Sequence, residues 1–257
     1  MTDRLKLTGV VLRTVDYGES DRVVTLLTAE RGKVSAFARA ARASRRRFGG
    51  ALEHFTLVHA EARERRGAEL LSLESVTVER AFGAIRGDLA RIACASYASE
   101  LAGELVRDAE PHRALLTLLV EYLARLEAAP ARPAALRAYE LGALQAAGLM
   151  PRLARCARCS GALDGPSSLP FDPASGGALC AGCASHASPA ALRIAPATLA
   201  AMLRLQEGGL ARAGEEPLAQ AAAVEARDAL SRFIEYHLGA RLPSRKFLDE
   251  IGPMLNS

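Results

Sequence analysis

Residues 8–38 read TGVVLRTVDYGESDRVVTLLTAERGKVSAFA, and the fold follows from how this stretch alternates. Val10, Leu12 and Val15, then Val23, Val24, Leu26 and Leu27, then Val34, Ala36 and Phe37 form three short apolar runs rich in β-branched residues. Asp16-Tyr17-Gly18-Glu19-Ser20-Asp21 and Glu30-Arg31-Gly32-Lys33 separate them, and both are built from residue types that turn a chain. Two further runs, Phe55 to Ala62 and Leu70 to Val78, flank the turn-like Arg65-Arg66-Gly67-Ala68. Five short antiparallel strands are what a small Greek-key barrel of the OB type needs, although strand counting alone leaves an SH3-like barrel open.

Between the third and fourth runs lies RAARASRRRFGG, residues 39–50. Its arginines dominate the charge distribution. Residues 1–80 carry 15 Lys and Arg against 11 Asp and Glu, which is the whole net charge of +4, while the remainder is balanced. A field gathered in this way favours a polyanion such as nucleic acid, and barrels of this type bind single strands along one face. The cluster Arg39, Arg42, Arg45, Arg46 and Arg47, supported by Lys33, Arg65 and Arg66, is the expected phosphate-contacting set. A solvated loop on an ordinary β-domain is the competing reading. Of the four barrel aromatics, Phe37 and Phe55 are read as core, which leaves Tyr17 and Phe48 as candidates for stacking on bases.

From about Arg80 the apolar period lengthens from two to nearly four. Helices are expected from Leu89 to Leu105, from Pro111 to Leu126, and from the Pro130 and Pro133 region to near Gly148. A fourth spans Pro196 to Gln206, with Gly208-Gly209 breaking it, and a fifth runs from Pro217 to Leu238. The result is a helical bundle. After it, Arg241 to Leu248 forms a basic tail with Phe247 and Leu248 as apolar anchors. No apolar run approaches the roughly 20 residues of a membrane span, and Met-Thr-Asp-Arg leads into a strand. A cytoplasmic protein is expected.

Cys156-Ala-Arg-Cys159 and Cys180-Ala-Gly-Cys183 interrupt the bundle. Two such knuckles supply four thiolates to one ion, a closed tetrahedral site that is structural rather than catalytic. Disulfides and a redox pair are the alternatives, and His186 could stand in for one cysteine. Four thiolates would leave a zinc site at −2, with Arg152, Arg155 and Arg158 placed to offset it, while Cys94 is left over as a buried helix residue. The Pro- and Ser-rich segment from Gly161 to Gly177 is too poor in apolar residues to bury a core of its own.

Signals for covalent chemistry are few. Gly32-Lys33-Val34 lacks the rest of a phosphate-binding loop, so no nucleotide is expected. His59-Ala60-Glu61 matches half of a zinc deaminase signature, but no proline precedes Cys156 or Cys180. A non-enzymatic protein is the expectation.

The strand-turn-strand opening, in particular Tyr17, Glu19, Ser20 and Asp21, resembles the RecO family of bacterial recombination mediators. So do the arginine-rich loop, the helical bundle, the paired cysteine insert and the closing Leu-Pro-Ser-Arg-Lys-Phe-Leu. The resemblance implies an α+β chain: a five-stranded OB-type barrel at residues 1–80 and a helical domain at 81–257, interrupted by a zinc finger at about 152–187. It implies binding to single- and double-stranded DNA, strand annealing and recombinase loading. It also implies RecR and the tail of single-strand-binding protein as partners, with a nucleoid-associated location. Some members lack the cysteines, so zinc is not the origin of activity. The alternative is an interaction platform whose helical domain docks an acidic protein tail on Arg241, Arg245 and Lys246 beside Phe247 and Leu248.

Overall fold

The computed structural model describes residues 4–64, 67–106, 110–164, 168–214 and 218–251, the side chains of Arg45 and Arg46 excepted. They gather into two compact units, Met1–Ala129 and Pro130–Ser257. The change from strand to helix comes near residue 80, while compactness places the next two helices with the barrel.

In the first unit β1 (Arg4–Tyr17), β2 (Asp21–Thr28), β3 (Gly32–Ala38), β4 (Leu57–Arg63) and β5 (Leu71–Arg80) close into a barrel of order β1-β2-β3-β5-β4. β4 returns to β1, and the seam is a short parallel contact pairing Ala36 with Leu71 and Phe37 with Ser72. This Greek-key closure decides for the OB type. Side chains alternate across the wall because successive residues of a strand point to opposite faces. Val34, Ala36 and Ala38 of β3 therefore enter the core with Val11, Val24, Leu26, Val58 and Leu73. A register shift between Val11 and Arg13 inverts β1, so that Arg13, Val15 and Tyr17 stand exposed beyond it.

The arginine segment holds a single helical turn, α1 (Arg45–Phe48). Phe48, Ala51 and Leu52 then drop into the barrel core, each 2% exposed. Phe48 is thus core and not a stacking ring. Phe55 is buried as expected, whereas Phe37 is not: β3 turns its small Ala36 and Ala38 inward and, by alternation, Phe37 outward. Two helices, α2 (Leu89–Leu105) and α3 (Arg113–Ala128), pack on the outside of β1. Asp88 caps α2 by accepting from the Arg91 backbone N–H at 2.8 Å. Gly32 allows this packing: it sits at φ +59°, and a Cβ there would strike the Glu110 carbonyl.

The second unit holds α4 (Pro133–Ala146), α5 (Pro196–Arg212), α6 (Gln220–Leu238) and α7 (Pro243–Ile251). Proline occupies the first turn of α4 and of α5. Gly208-Gly209 breaks α5 as expected: Gly209, at φ 56° and ψ −158°, is non-helical, and a further helical stretch continues to Arg212 across the kink. The basic tail is helical, and Arg245, Leu248 and Ile251 bury one face of α7 at helical spacing. The cysteine insert is a three-stranded sheet of order β7-β6-β8, formed by β6 (Leu169–Asp172), β7 (Gly177–Ala178) and β8 (Leu192–Ile194). Its few apolar residues are buried against a helix rather than in a core of their own: Phe171, 1% exposed, lies 5.7 Å from the Phe233 ring of α6. Among the described residues no helix is long and apolar enough to cross a membrane.

Candidate nucleic-acid interface and metal centre

The barrel sorts its arginines into two classes. Those on the strands and their hairpin, the exposed Arg13 of β1 excepted, are paired with carboxylates: Arg31 with Glu64 at 3.2 Å, Arg63 with Glu74 at 2.5 Å, Arg22 with Asp16 at 2.9 Å, and Arg4 with Glu61 at 2.7 Å. Those of the β3–β4 connection are not. Among the described residues Arg39, Arg42 and Arg47 make no ion pair, and the side-chain hydrogen bonds of Arg42 and Arg47 are to neutral oxygens. Arg42 donates to the Glu19 carbonyl at 3.2 Å, and Arg47 to Ser44 Oγ at 3.0 Å and to the Arg39 carbonyl at 2.8 Å. Hydrogen bonding of this kind orients a guanidinium without cancelling its charge. Arg45 and Arg46 lie on the backbone of α1 with side chains outside those described, and Arg65 and Arg66 lie outside the described residues. Lys33 is half-buried, its stem beside Gly103 of α2.

Two anchors hold this segment. One is the apolar plug of Phe48, Ala51 and Leu52, with the Arg47 guanidinium 5.0 Å from the centre of the Phe48 ring. The other is the β1–β2 turn, where the Ala40 N–H donates to Asp21 Oδ1 at 2.7 Å and the Arg42 N–H to the Ser20 carbonyl at 3.0 Å. Ala40 adopts a left-handed φ of 52° to do so. Glu19, Ser20 and Asp21, which carried the sequence resemblance, are therefore the seat of the arginine segment. A cleft of about 240 Å³ opens beside it between Arg22, Arg42, Gly50 and Glu53. Tyr17 completes this end of the barrel: it is 62% exposed and meets Phe37 edge to face, ring centres 5.6 Å apart at 81°.

In the second unit Cys156, Cys159, Cys180 and Cys183 bring their four sulfurs within 4.8 Å of one another. The Cys159 and Cys180 sulfurs are 3.7 Å apart. Zinc–sulfur bonds of about 2.3 Å in a tetrahedron require sulfur–sulfur edges of roughly 3.8 Å, so the donor set fits zinc. The first knuckle is closed by Cys156 N–H to the Gly161 carbonyl and Ser160 N–H to the Cys156 carbonyl, each at 2.9 Å. Gly177 has its Cα against the Arg152 backbone, where a Cβ would collide, and this brings β7 alongside the first knuckle. Burial pushes the Cys156 thiol up, but N–H groups of Cys159, Cys180 and Arg158 outweigh it and hold the group at about 6. Loss of solvation, hydrogen bonding of its S–H to the Cys180, Cys159 and Cys156 sulfurs, and the Cys156 charge push Cys183 up to about 12. A metal ion is ligated by thiolates, so its binding to the group would release protons.

The group includes neither His186 nor His59, which lies on β4 in the first unit and contacts Thr8 and Glu79, each at 3.1 Å. Cys94 is buried in α2, as expected. Arg155 donates to the Ser160 carbonyl at 3.2 Å, next to Cys159, while the Arg152 and Arg158 side chains are exposed.

Two residues that sequence reasoning passed over hold the second unit together. Asp172, 1% exposed, accepts from Ser175 Oγ at 2.6 Å and Ser188 Oγ at 2.5 Å, and from the Ala174 and Ser188 N–H groups. Its signal was Asp172-Pro-Ala-Ser175, a sequence that favours an Asx turn. Glu140, fully buried on α4, lies 2.8 Å from Arg137 and 3.8 Å from Arg245 of α7. Arg245 also binds Asp249 at 3.0 Å, and Arg241 binds Asp249 at 2.9 Å. The tail arginines read as a receptor for an acidic peptide are thus engaged within the chain.

The family model described as Recombination protein O N terminal matches residues 1–82, and the one described as Recombination protein O C terminal matches residues 86–246. The chain is 70% identical over 253 residues to the DNA repair protein RecO of Anaeromyxobacter dehalogenans (strain 2CP-C), covering 98% of this chain and 99% of the relative. It is 46% identical over 245 residues to the protein of that name from Myxococcus xanthus (strain DK1622), covering 95% and 96%. With the one from Symbiobacterium thermophilum the identity is 37% over 246 residues, covering 95% and 96%.

Proposed function

The chain belongs to the RecO family, which gives it a role in DNA repair and recombination, and on that premise we propose that it acts as a non-enzymatic mediator. It binds single- and double-stranded DNA, anneals complementary strands, and helps load a recombinase onto strands coated by single-strand-binding protein. RecR and the tail of the single-strand-binding protein are its partners in this reading. Lys33, Arg39, Arg42, Arg45, Arg46, Arg47, Arg65 and Arg66 contact phosphates, and Cys156, Cys159, Cys180 and Cys183 hold one structural zinc ion.

The observation that carries the reading is the arginine segment anchored on the barrel, where Arg39, Arg42 and Arg47 make no ion pair among the described residues, while Arg31 and Arg63 are paired with carboxylates. Annealing brings two polyanions together, and a fixed basic surface lowers their repulsion by displacing counterions without any covalent step. The docking-platform alternative keeps less of its motivating feature: Arg241 and Arg245 are ion-paired within the second unit, while Lys246 is exposed. The test is annealing of complementary oligonucleotides without nucleotide. Acceleration by the protein, lost when Arg45, Arg46 and Arg47 become alanine, supports the reading; annealing no faster than the spontaneous rate contradicts it.

A further inference from the structure

On the outer face of β1, β2 and β3 the barrel presents a row of apolar and aromatic groups. Beyond the register shift, Val15 and Tyr17 lie two apart on one face of β1, 42% and 62% exposed. They are two of the seven large hydrophobic residues exposed among those described. Val15 pairs across the ladder with Val23, and Val23 with Phe37, so a continuous row crosses three strands. Tyr17 stands over the Phe37 end of that row, held by the edge-to-face contact. Flanking positions on the same face are Arg13, Thr25 and Ser35, which pair as Arg13 with Thr25 and Thr25 with Ser35.

Resting on the DNA-binding reading, we infer that this row is a stacking platform for unpaired bases, with Tyr17 as the exposed ring and Phe37 as the ring that positions it. Charge placement argues for nucleic acid over another apolar partner. The β1–β2 turn that follows Tyr17 is the seat of the arginine segment, through Ser20, Asp21 and the Glu19 carbonyl. Arg39 follows Phe37 by two residues, roughly 7 Å along an extended chain. A base lying on Tyr17 therefore has guanidinium groups near its own backbone, while Asp16 and Asp21 are occupied by Arg22 and Ala40. Stacking on an aromatic ring needs only a free base face, which unpaired nucleotides have and a duplex interior does not. The arginines then serve both kinds of DNA, and Tyr17 and Phe37 set the preference for single strands.

The chain has no tryptophan, so Tyr17→Trp installs one reporter at the platform. The probes are a thymidine oligonucleotide, an abasic deoxyribose-phosphate oligomer of equal length, and a duplex. We expect tryptophan emission to be quenched by the thymidine oligomer and left unchanged by the abasic oligomer and the duplex, although both bind. Tyr17→Ala should weaken single-strand binding roughly tenfold and leave duplex binding unaltered, with Tyr17→Phe close to wild type. Unquenched emission on binding the thymidine oligomer, or an equal loss for both kinds of DNA in Tyr17→Ala, overturns the platform and leaves the phosphate contacts standing. Failure of the wild-type protein to bind any of the three probes overturns both readings.

Discussion

The Asp21 carboxylate accepts the Ala40 backbone N–H at 2.7 Å and so ties the arginine segment to the turn between β1 and β2. Ser20 supports it through a 3.3 Å hydrogen bond to the same oxygen, and its carbonyl receives the Arg42 N–H. Replacing Asp21 by alanine is expected to cost about 2 kcal/mol, because a hydrogen bond to an ionised acceptor is lost. DNA affinity should fall as well, since ordering the segment must then be achieved on binding. Asp21→Asn keeps an acceptor and should be milder in both respects. Urea denaturation and a binding titration of the two variants check this; equal effects of both would contradict it.

Burying Glu140 between two guanidinium groups creates a stability dependence that is easily probed. Glu140→Ala leaves Arg137 and Arg245 buried without their shared carboxylate, and the expected cost is about 3–5 kcal/mol. Replacing Arg137, Glu140 and Arg245 together by apolar residues of similar size should restore most of the loss, because no charge is then stranded. Chemical denaturation of the single and triple variants measures both. A triple variant as unstable as the single one would contradict the assignment.

Asp172 predicts an acid limb. Burial would raise its carboxyl, but hydrogen bonds from Ser175, Ser188 and Ala174 hold it below the ordinary value of 3.8. A carboxyl lowered by folding stabilises the native state fully above its unfolded pKa, and that share is lost as the pH falls through the folded value. Asp172→Asn should therefore lower stability at neutral pH by about 2 kcal/mol and flatten the decline below pH about 4. Thermal unfolding across that range tests the sign, and an unchanged acid slope would contradict it.

Removal of the proposed zinc ion should act locally. Chelation, or Cys156→Ser, is expected to loosen the insert and raise hydrogen exchange in β6, β7 and the segment around Cys180, leaving the β-barrel protected. Cobalt-loaded protein should show the charge-transfer spectrum of four thiolates, and Cys94→Ser should not alter it, since Cys94 lies in α2. A spectrum with fewer sulfur ligands would contradict the four-cysteine assignment.

Much of this architecture was legible because the sequence repeats one physical signal. Alternation located all five barrel strands, and paired C-x-x-C knuckles located the cysteine cluster, since both patterns are local. What was not legible depended on a partner distant in sequence. Phe37 looked like core because it is large and apolar, but the register of β3 takes Ala36 and Ala38 inside and parity sends Phe37 out. Phe48 looked available because it follows three arginines, yet it plugs the barrel. Arg245 read as a surface cation until Glu140, 105 positions earlier in the chain, supplied its counter-charge. Summed charge located the arginine-rich region, while only geometry separated Arg39, Arg42 and Arg47 from the neutralised Arg31 and Arg63.

The central claim is that uncancelled guanidinium charge on the β3–β4 connection holds DNA by its phosphates. It is tested most directly by the slope of log affinity for a single-stranded oligonucleotide against log salt, for wild type and for the variant with Arg45, Arg46 and Arg47 changed to alanine. Each lost phosphate contact removes about 0.7 from the slope, so the variant should be shallower by about 2 and weaker at low salt. Superimposable lines for the two proteins would contradict the claim.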